Sequence, residues 1–469
     1  MQSSSVRPSL RRTDKSRNHR ADARSLSGYE GYSFIRSIAE LFSGIQWTPA
    51  LVAFLYYYFV VITYWLPGAD VGMVLALVCL VFQLKDIRVG RVLIVFAIWV
   101  AWAWLSYLGS PKQALAFDQT WTLTKLWLVA FVAFNVIRTR EHLRFFFGFA
   151  TACFMLFPLR GAFVNYFGGY STSGRALWNF TYNNPNDLAG FALIFSSIAL
   201  AYSTITRNKT SKFLSYLCAA AMVLLIFFTQ SRGALLATAV IASFRIVTRL
   251  RSPRVVVGTI VTVIAAGLLA PQSVWNRIGG LSSISVEGGM RGVDKEGSAE
   301  QRFQLLTVAA RIAAGHPITG VGAGTYQDFH AEYARNMTAE LPLAGGKKDA
   351  HNTYLHTAAE LGYVGLAIFL LLTGGQIYAS FRSARSLGGA DAEMTRMLVY
   401  GLVGFLLAGF FGSLEYINVL HLHLVLLEST AIALATRPSL RPRTGRRWRP
   451  YGGESRQPGI ANYGLRSGE

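Results

Sequence analysis

Two arginines could bind an anion, Arg232 at the edge of an apolar segment and Arg302 in the long loop. Arg232 lies in residues 229–233 (TQSRG) between two apolar segments, and Arg302 lies in the polar residues 300–303 (EQRF). The planar guanidinium group suits the oxygens of a phosphate. Each arginine could instead extend to lipid headgroups or to water, so neither pattern alone distinguishes a site from a structural role.

His351 is the candidate for proton transfer. It lies in residues 350–356 (AHNTYLH), where a long polar loop returns to an apolar segment. A neutral imidazole at such a boundary can accept a proton from a hydroxyl group, although it could also serve only to cap a helix. His351 and His356 are five residues apart and would not share a helical face, so we predict no metal site and no cofactor.

Two further segments carry weaker signals. Arg175 precedes residues 183–187 (NNPND) and could contact an anionic group, although the segment also has the composition of a turn followed by a helix N-cap. The glycines of residues 315–324 (GHPITGVGAG) could present backbone N–H groups to an anion. They could equally form a tight turn that places the preceding helix.

The composition shows what kind of fold must position these residues. Of the 469 residues, 52% are hydrophobic and only 15% are charged, against about 25% charged in soluble proteins. These values exclude a soluble enzyme, a disordered chain and a collagen-like fibre. The three cysteines all lie in apolar segments, so neither a disulfide framework nor a zinc site is expected.

The apolar segments predict an all-α polytopic membrane protein with about 12 transmembrane helices, since lipid offers no partner for free backbone groups. The second, fifth and eighth segments are short or interrupted. The predicted spans are 47–66, 70–84, 91–108, 119–137, 143–158, 187–206, 213–230, 233–249, 255–271, 358–381, 396–413 and 416–435.

The basic residues predict the orientation. With both termini in the cytoplasm, 32 of the 45 lysines and arginines lie on the cytoplasmic side and 12 on the other, of which 8 are in the long loop. The chain then divides into a basic cytoplasmic N-tail, nine helices, an outer loop, three helices and a basic cytoplasmic C-tail. Those parts are residues 1–46, 47–271, 272–357, 358–435 and 436–469.

The net charge of +21 would suggest nucleic acid in a soluble chain, but here we assign it to topology and to contact of the tails with anionic lipids. Within the loop, Phe303, Leu306, Ala310 and Ile312 predict a helix over 299–314 that ends before Pro317.

Together the motifs resemble the O-antigen ligase/polymerase superfamily of bacterial inner-membrane glycosyltransferases. The resemblance covers about residues 170–370, while the first 150 residues match only in hydropathy. It rests on residues 183–190 (NNPNDLAG), 229–233 (TQSRG), 301–306 (QRFQLL), 316–326 (HPITGVGAGTY) and 351–365 (HNTYLHTAAELGYVG).

The resemblance implies a GT-C-like fold with one long periplasmic loop, and a metal-independent, inverting transfer of glycan from an undecaprenyl-diphosphate donor to an acceptor hydroxyl. By position in the motifs, the functional residues are Arg232, Arg302 and His351. Arg175 and Asn352 are added as substrate-binding candidates. The expected partners are the lipid-linked glycan, an acceptor glycolipid or growing glycan, and membrane lipids.

Several alternatives remain open from the sequence. Members of the superfamily include ligases that modify lipid A–core, polymerases that extend the lipid-linked chain, and protein O-glycosyltransferases. A transporter of a small anion such as bicarbonate is a different class, and it would require ionisable residues or broken helices at mid-membrane. Glu428 and Lys125 are the ionisable residues within spans that bear on it. A structural scaffold is a third class.

Overall fold

The structure, a computed structural model, describes residues 38–248 and 298–435 and the single residues 35, 257 and 261. Within these residues the chain is helical and has no strand, only an isolated bridge between Thr172 and Arg175. The predicted all-α class is thereby confirmed for the described part of the chain. The predicted span 255–271, the first part of the long loop and most of both tails lie outside it.

Among the described residues, nine helices with defined bounds precede the long loop. They are α1 (Pro49–Thr63), α2 (Ala69–Val81), α3 (Arg91–Gly109), α4 (Gln113–Val136), α5 (Arg140–Phe154), α6 (Arg160–Phe167), α7 (Pro185–Ile205), α8 (Lys209–Thr229) and α9 (Arg232–Thr248). The described part of the loop and the chain beyond it contribute five more. They are α10 (Ser298–Gly315), α11 (Tyr326–Asn336), α12 (Thr353–Ser386), α13 (Gly389–Ala408) and α14 (Asn418–Ala435).

Six helical segments of the described residues are long and apolar enough to cross a membrane. They are α3, the continuous segment Arg140–Phe167, α7, α8, α12 and α14. Helices α1 and α2 are apolar but shorter. The protein is therefore a multi-pass membrane protein. Each predicted span among the described residues falls largely on a helix, whereas the total of twelve stays a prediction.

The interrupted fifth span continues further than its sequence indicates. Pro158 lies inside the π-helical turn Met155–Leu159, which joins α5 to α6. A proline removes one backbone donor, and a local change of helix type satisfies the carbonyl groups that this leaves. The joined segment, Arg140–Phe167, is 28 residues long and can span a membrane.

Helix α12 is bent near its start at Gly362, where φ is 70° and ψ is 177°. The loop that follows α10 packs into this bend. Tyr363 donates its backbone N–H to Pro317 O at 2.8 Å. A Cβ atom on Gly362 would lie 2.0 Å from Ile318 O. Only glycine therefore combines the positive φ with such a close approach of two backbones.

The predicted loop helix is present as α10, which ends at Gly315 before Pro317. Of the residues whose spacing indicated the helix, Phe303 is 51% exposed and Ala310 is also exposed, whereas Ile312 is buried. The buried face lies one position away along the helix, and it packs with Ala358 and Ala359 of α12 in one apolar cluster. The buried face of α10 consists of Leu305, Val308, Ala309 and Ile312. Tertiary packing selected this face, since a helix so rich in alanine offers two similar apolar faces.

The role of Gly362 in the bend of α12 can be tested by substitution. Replacing Gly362 by alanine should lower the midpoint of thermal unfolding in detergent, because an L-residue at this φ costs about 1–3 kcal/mol before the clash with Ile318 O is added. Gly374 lies in the same helix, and a Cβ there meets nothing within 4 Å. Gly374→Ala should leave the midpoint unchanged or raise it. Equal midpoints for the two variants would contradict this account of the bend.

Candidate functional site

The predicted functional segments lie at one end of the helix bundle. The turn between α8 and α9, the start of α7, the start of α12 and the connection between α13 and α14 meet there. The opposite end holds short basic turns, where Arg140 pairs with Asp391 at 2.7 Å and Arg245 pairs with Glu393. The structure thus separates the candidate site from the basic turns by the length of the helices.

Arg232 begins α9 directly after a sharp turn. Gln230 ends α8 with φ 52°, in the left-handed region that non-glycine residues rarely adopt. Its side-chain amide donates to Gly174 O at 2.8 Å, so the turn is tied to the segment that carries Arg175. Arg232 itself is half-buried. A guanidinium held at a helix start by a fixed turn is suited to binding an anion.

Arg175 lies against the same turn. Its Nε donates to Thr229 O at 2.8 Å, and one terminal nitrogen donates to Asn186 Oδ1 at 2.7 Å. The backbone supports this arrangement, because Ala176 N donates to Phe228 O at 2.9 Å. Asn184 caps α7 with its side chain, so the predicted turn and N-cap are confirmed. Arg175 therefore helps to hold the Arg232 turn, and its role toward substrate stays a prediction.

His351 occupies the residue before the cap of α12. Its φ is 50°, again in the left-handed region, and its side chain is half-buried. Asn352 Oδ1 accepts hydrogen bonds from Tyr354 N at 3.0 Å and Leu355 N at 2.9 Å, while its Nδ2 donates to Phe410 O at 3.3 Å. Asn352 is thus the helix cap that fixes the imidazole beside it, and its predicted contact with substrate stays a prediction.

The connection between α13 and α14, residues 409–417, touches both functional turns. Thr353 at the start of α12 donates its backbone N–H to Gly409 O at 2.8 Å and its hydroxyl to Gly412 O at 2.8 Å. On the other side, Phe411 packs against Gly233, where a Cβ would lie 2.7 Å from Phe411 Cβ. The turns that carry Arg232 and His351 are therefore neighbours across this connection.

Arg302 reaches the site because α10 packs on the first turns of α12. Ala350, the neighbour of His351, is buried in the same apolar cluster as the inner face of α10. At the start of α10, Gln304 Oε1 accepts from Leu343 N at 2.8 Å, which fixes the turn Pro342–Ala344 beside it. Arg302 is half-buried and carries its charge close enough to act on His351.

The electrostatics of the site favour a neutral imidazole. Burial lowers the pKa of His351 below its ordinary value of 6.5, and the positive charge of Arg302 lowers it further. Arg175 and His356 act in the same direction, while Asp349 opposes them. A lowered pKa favours the neutral imidazole, which can accept a proton; the role of His351 as a base stays a prediction.

The glycine-rich segment 315–324 forms the tight turn rather than an anion cradle. Val321 N donates to Ala359 O at 3.0 Å, and Gly322 N donates to Glu360 O at 2.9 Å. The bend in α12 frees these two carbonyl groups, and the glycine segment satisfies them. The N–H groups of Val321 and Gly322 therefore donate to α12. This favours the tight turn over the anion-binding interpretation of the motif.

The structure adds buried polar residues that the sequence did not single out for a role. His356 lies between the carboxylates of Glu360 and Glu415, and Tyr416 donates its hydroxyl to Glu360 at 2.5 Å. Glu415 comes from the connection 409–417. A possible signal was its place in the two-residue gap between the predicted spans 396–413 and 416–435. Its partner is distant in sequence, so no local pattern could reveal the pair.

In the described residues, these features define a multi-pass, helical membrane protein in which Arg175, Arg232, Arg302 and His351 lie at one end. Residues 217–370 match the protein family described as O-antigen ligase, and this range includes Arg232, Arg302 and His351. The resemblance to that superfamily is thus confirmed, and it supports an enzyme of the glycosyltransferase type. No curated protein matches the chain.

The cap of α12 can be tested by two substitutions at Asn352. Asn352→Ala removes the acceptor for two N–H groups and should destabilise the protein by about 1 kcal/mol. Asn352→Asp keeps an oxygen at the cap and adds a negative charge at a helix N-terminus, so it should retain stability. The measurement is the midpoint of thermal unfolding in detergent. An alanine variant as stable as the aspartate variant would argue against the capping role.

Proposed function

We propose that this protein is a membrane glycosyltransferase that moves a glycan from an undecaprenyl-diphosphate donor to an acceptor hydroxyl at the end of the bundle that carries His351. One observation carries the proposal. The turns of Arg232 and His351 adjoin the same connection, and Arg302 acts on His351, all within the part that matches the O-antigen ligase family.

The arginines would bind the diphosphate. Breaking the bond between the sugar C1 and the diphosphate oxygen leaves negative charge on the leaving group, and guanidinium groups stabilise that charge as it develops. Arg232 from the α8–α9 turn and Arg302 from α10 would approach it from two elements. In this assignment, the two arginines stabilise the negative charge that develops on the diphosphate.

His351 would act on the acceptor. As the acceptor oxygen forms its bond to C1, its proton passes to the imidazole, and the electron pair of the broken bond leaves with the diphosphate. A single displacement of this kind inverts the anomeric centre. The fixed backbone around Asn352 would hold the base in line with the hydroxyl.

The proposed orientation places this end in the periplasm and both termini in the cytoplasm of an inner-membrane protein with twelve spans. Support comes from the ion-paired basic turns at the opposite end, which contain Arg138, Arg140 and Arg245. The donor's diphosphate would then lie at the outer membrane surface, beside Arg232.

The match to the O-antigen ligase family gives no support to the transporter. Glu428 is buried, and its carboxylate accepts the backbone N–H groups of Arg91 at 2.8 Å and Val92 at 3.0 Å. It therefore caps the start of α3. Lys125 is exposed on α4 and does not line an interior path. Both ionisable residues have positions that ion transport would not explain.

The main test is transfer by purified protein in nanodiscs, with an undecaprenyl-diphosphate-linked glycan and, in turn, lipid A–core, a second lipid-linked glycan and a protein acceptor. His351→Ala should lower kcat/KM by about 10²–10⁴-fold. Arg232→Ala and Arg302→Ala should each lower it by about 10²-fold or more. The acceptor that is used distinguishes a ligase, a polymerase and a protein O-glycosyltransferase.

The matched control is Arg311→Ala. Arg311 lies on α10 like Arg302, but it is exposed and pairs with Glu340 at 3.0 Å. Its replacement should leave transfer unchanged. Full transfer by folded His351→Ala and Arg232→Ala proteins would refute the catalytic assignment and favour a scaffold.

The charges around His351 predict a pH dependence. Activity should fall as the pH drops through the pKa of His351, because the protonated imidazole cannot act as a base. Asp349 raises that pKa, so Asp349→Asn should lower the pKa and move the acidic limb of the kcat/KM profile to lower pH. The control is Asp328→Asn, since Asp328 pairs with Lys347 at 2.7 Å. An acidic limb that moves upward in Asp349→Asn would exclude His351 as the titrating group.

A further inference from the structure

A buried group of ionisable side chains lies next to the candidate site and takes no part in the proposed chemistry. His356 is 7% exposed, and Glu360 and Glu415 are each 1% exposed. Glu415 Oε1 contacts His356 Nδ1, and Glu360 Oε1 lies 3.8 Å from His356 Nε2. The imidazole thus lies between two carboxylates, and all three side chains are buried in the bundle.

The burial of these three side chains is energetically unfavourable. Removing two carboxylates and an imidazole from water costs free energy that their mutual attraction only partly offsets, so a buried ionic group is weak evidence for a gain in stability. Further hydrogen bonds hold it in one geometry. Glu360 accepts from Tyr416 Oη at 2.5 Å and from Tyr326 N at 3.0 Å. A defined geometry, rather than stability, is what the group supplies.

The group joins the two elements that must stay in register for the proposed reaction. His356 lies one turn beyond His351 on α12, while Glu415 belongs to the connection 409–417. That connection also carries Phe411 against Gly233, beside Arg232. The contact between His356 and Glu415 therefore fixes the base-bearing turn relative to the element that supports the phosphate-binding turn.

We propose that His356 and Glu415 are positioning residues that hold His351 in register with Arg232. The inference rests on the proposed function and deepens it, because it assigns the alignment of base and diphosphate to a pair that touches neither substrate. A displacement of about 1 Å between reacting groups can cost about 10²-fold in rate. The pair should therefore govern kcat more than donor affinity.

The test compares Glu415→Ala, Glu415→Gln and His356→Gln in the nanodisc transfer assay. We expect Glu415→Ala to lower kcat by about 10²-fold with little change in the KM for the donor. Glu415→Gln keeps an oxygen that can accept from His356 Nδ1–H, so it should restore part of the loss. The amount of folded protein is measured by size-exclusion chromatography, and rates are expressed per folded molecule.

A fall in kcat at an unchanged KM, partly restored in Glu415→Gln, separates positioning from a merely structural role. His356 lowers the pKa of His351, so His356→Gln should also move the acidic limb to higher pH. A variant that is only less stable would keep the wild-type kcat per folded molecule. The matched control is Glu340→Ala, an exposed glutamate that pairs with Arg311, and it should change neither kcat nor the profile.

Each outcome bears on one proposal. Folded Glu415→Ala and His356→Gln proteins with wild-type kcat would overturn the positioning role, while loss of transfer in His351→Ala would still support the proposed function. Full transfer by His351→Ala would overturn the proposed function instead. If Glu415→Ala does not fold, the isosteric Glu415→Gln variant and His356→Gln decide the question.

Discussion

The hydrogen bonds of Thr353 are the interaction on which the arrangement of the site depends. Its backbone N–H donates to Gly409 O, its hydroxyl donates to Gly412 O, and the same hydroxyl accepts from Leu414 N at 2.9 Å. These three bonds attach the first turn of α12 to the connection 409–417. Because His351 directly precedes that turn and the connection supports the Arg232 turn, one threonine links His351 to the Arg232 turn, which is far away in sequence.

A second constraint is the bend of α12 at Gly362, which frees carbonyl groups inside the protein. In a membrane protein such groups must find partners from the chain, since lipid offers none. The segment after α10 supplies them, as do Trp102 Nε1, which donates to Leu361 O at 2.8 Å, and Ser106 Oγ, which donates to Glu360 O at 3.3 Å. These hydrogen bonds hold the described part of the loop, which includes Arg302, against the helix bundle.

Charge is distributed along the bundle in a way that fits the proposed reaction. One end gathers Arg175, Arg232 and Arg302 near a histidine whose pKa is lowered by burial and by positive charge. Arg302, which would bind the diphosphate, also lowers the pKa of His351, and Arg175 acts in the same direction. In the proposed reaction, anion binding by Arg302 and proton acceptance by His351 would therefore support each other.

The sequence by itself determined the helical fold class and the family resemblance. Apolar segments long enough to span lipid leave only helices as a solution, and the motifs around Arg232, Arg302 and His351 resemble the family that residues 217–370 match. The turn and cap at Asn184 were also predictable, because a cap depends on neighbouring residues alone.

Only the tertiary structure decided which face of α10 is buried, what the glycine segment binds, and that His356 meets Glu415. The helix period could not choose between similar apolar faces in an alanine-rich segment, and the buried one is selected by packing on Ala358 and Ala359. The partner of His356 lies 59 positions away along the chain. Local patterns carry no information about such contacts, since they form only when the bundle brings separate helices together.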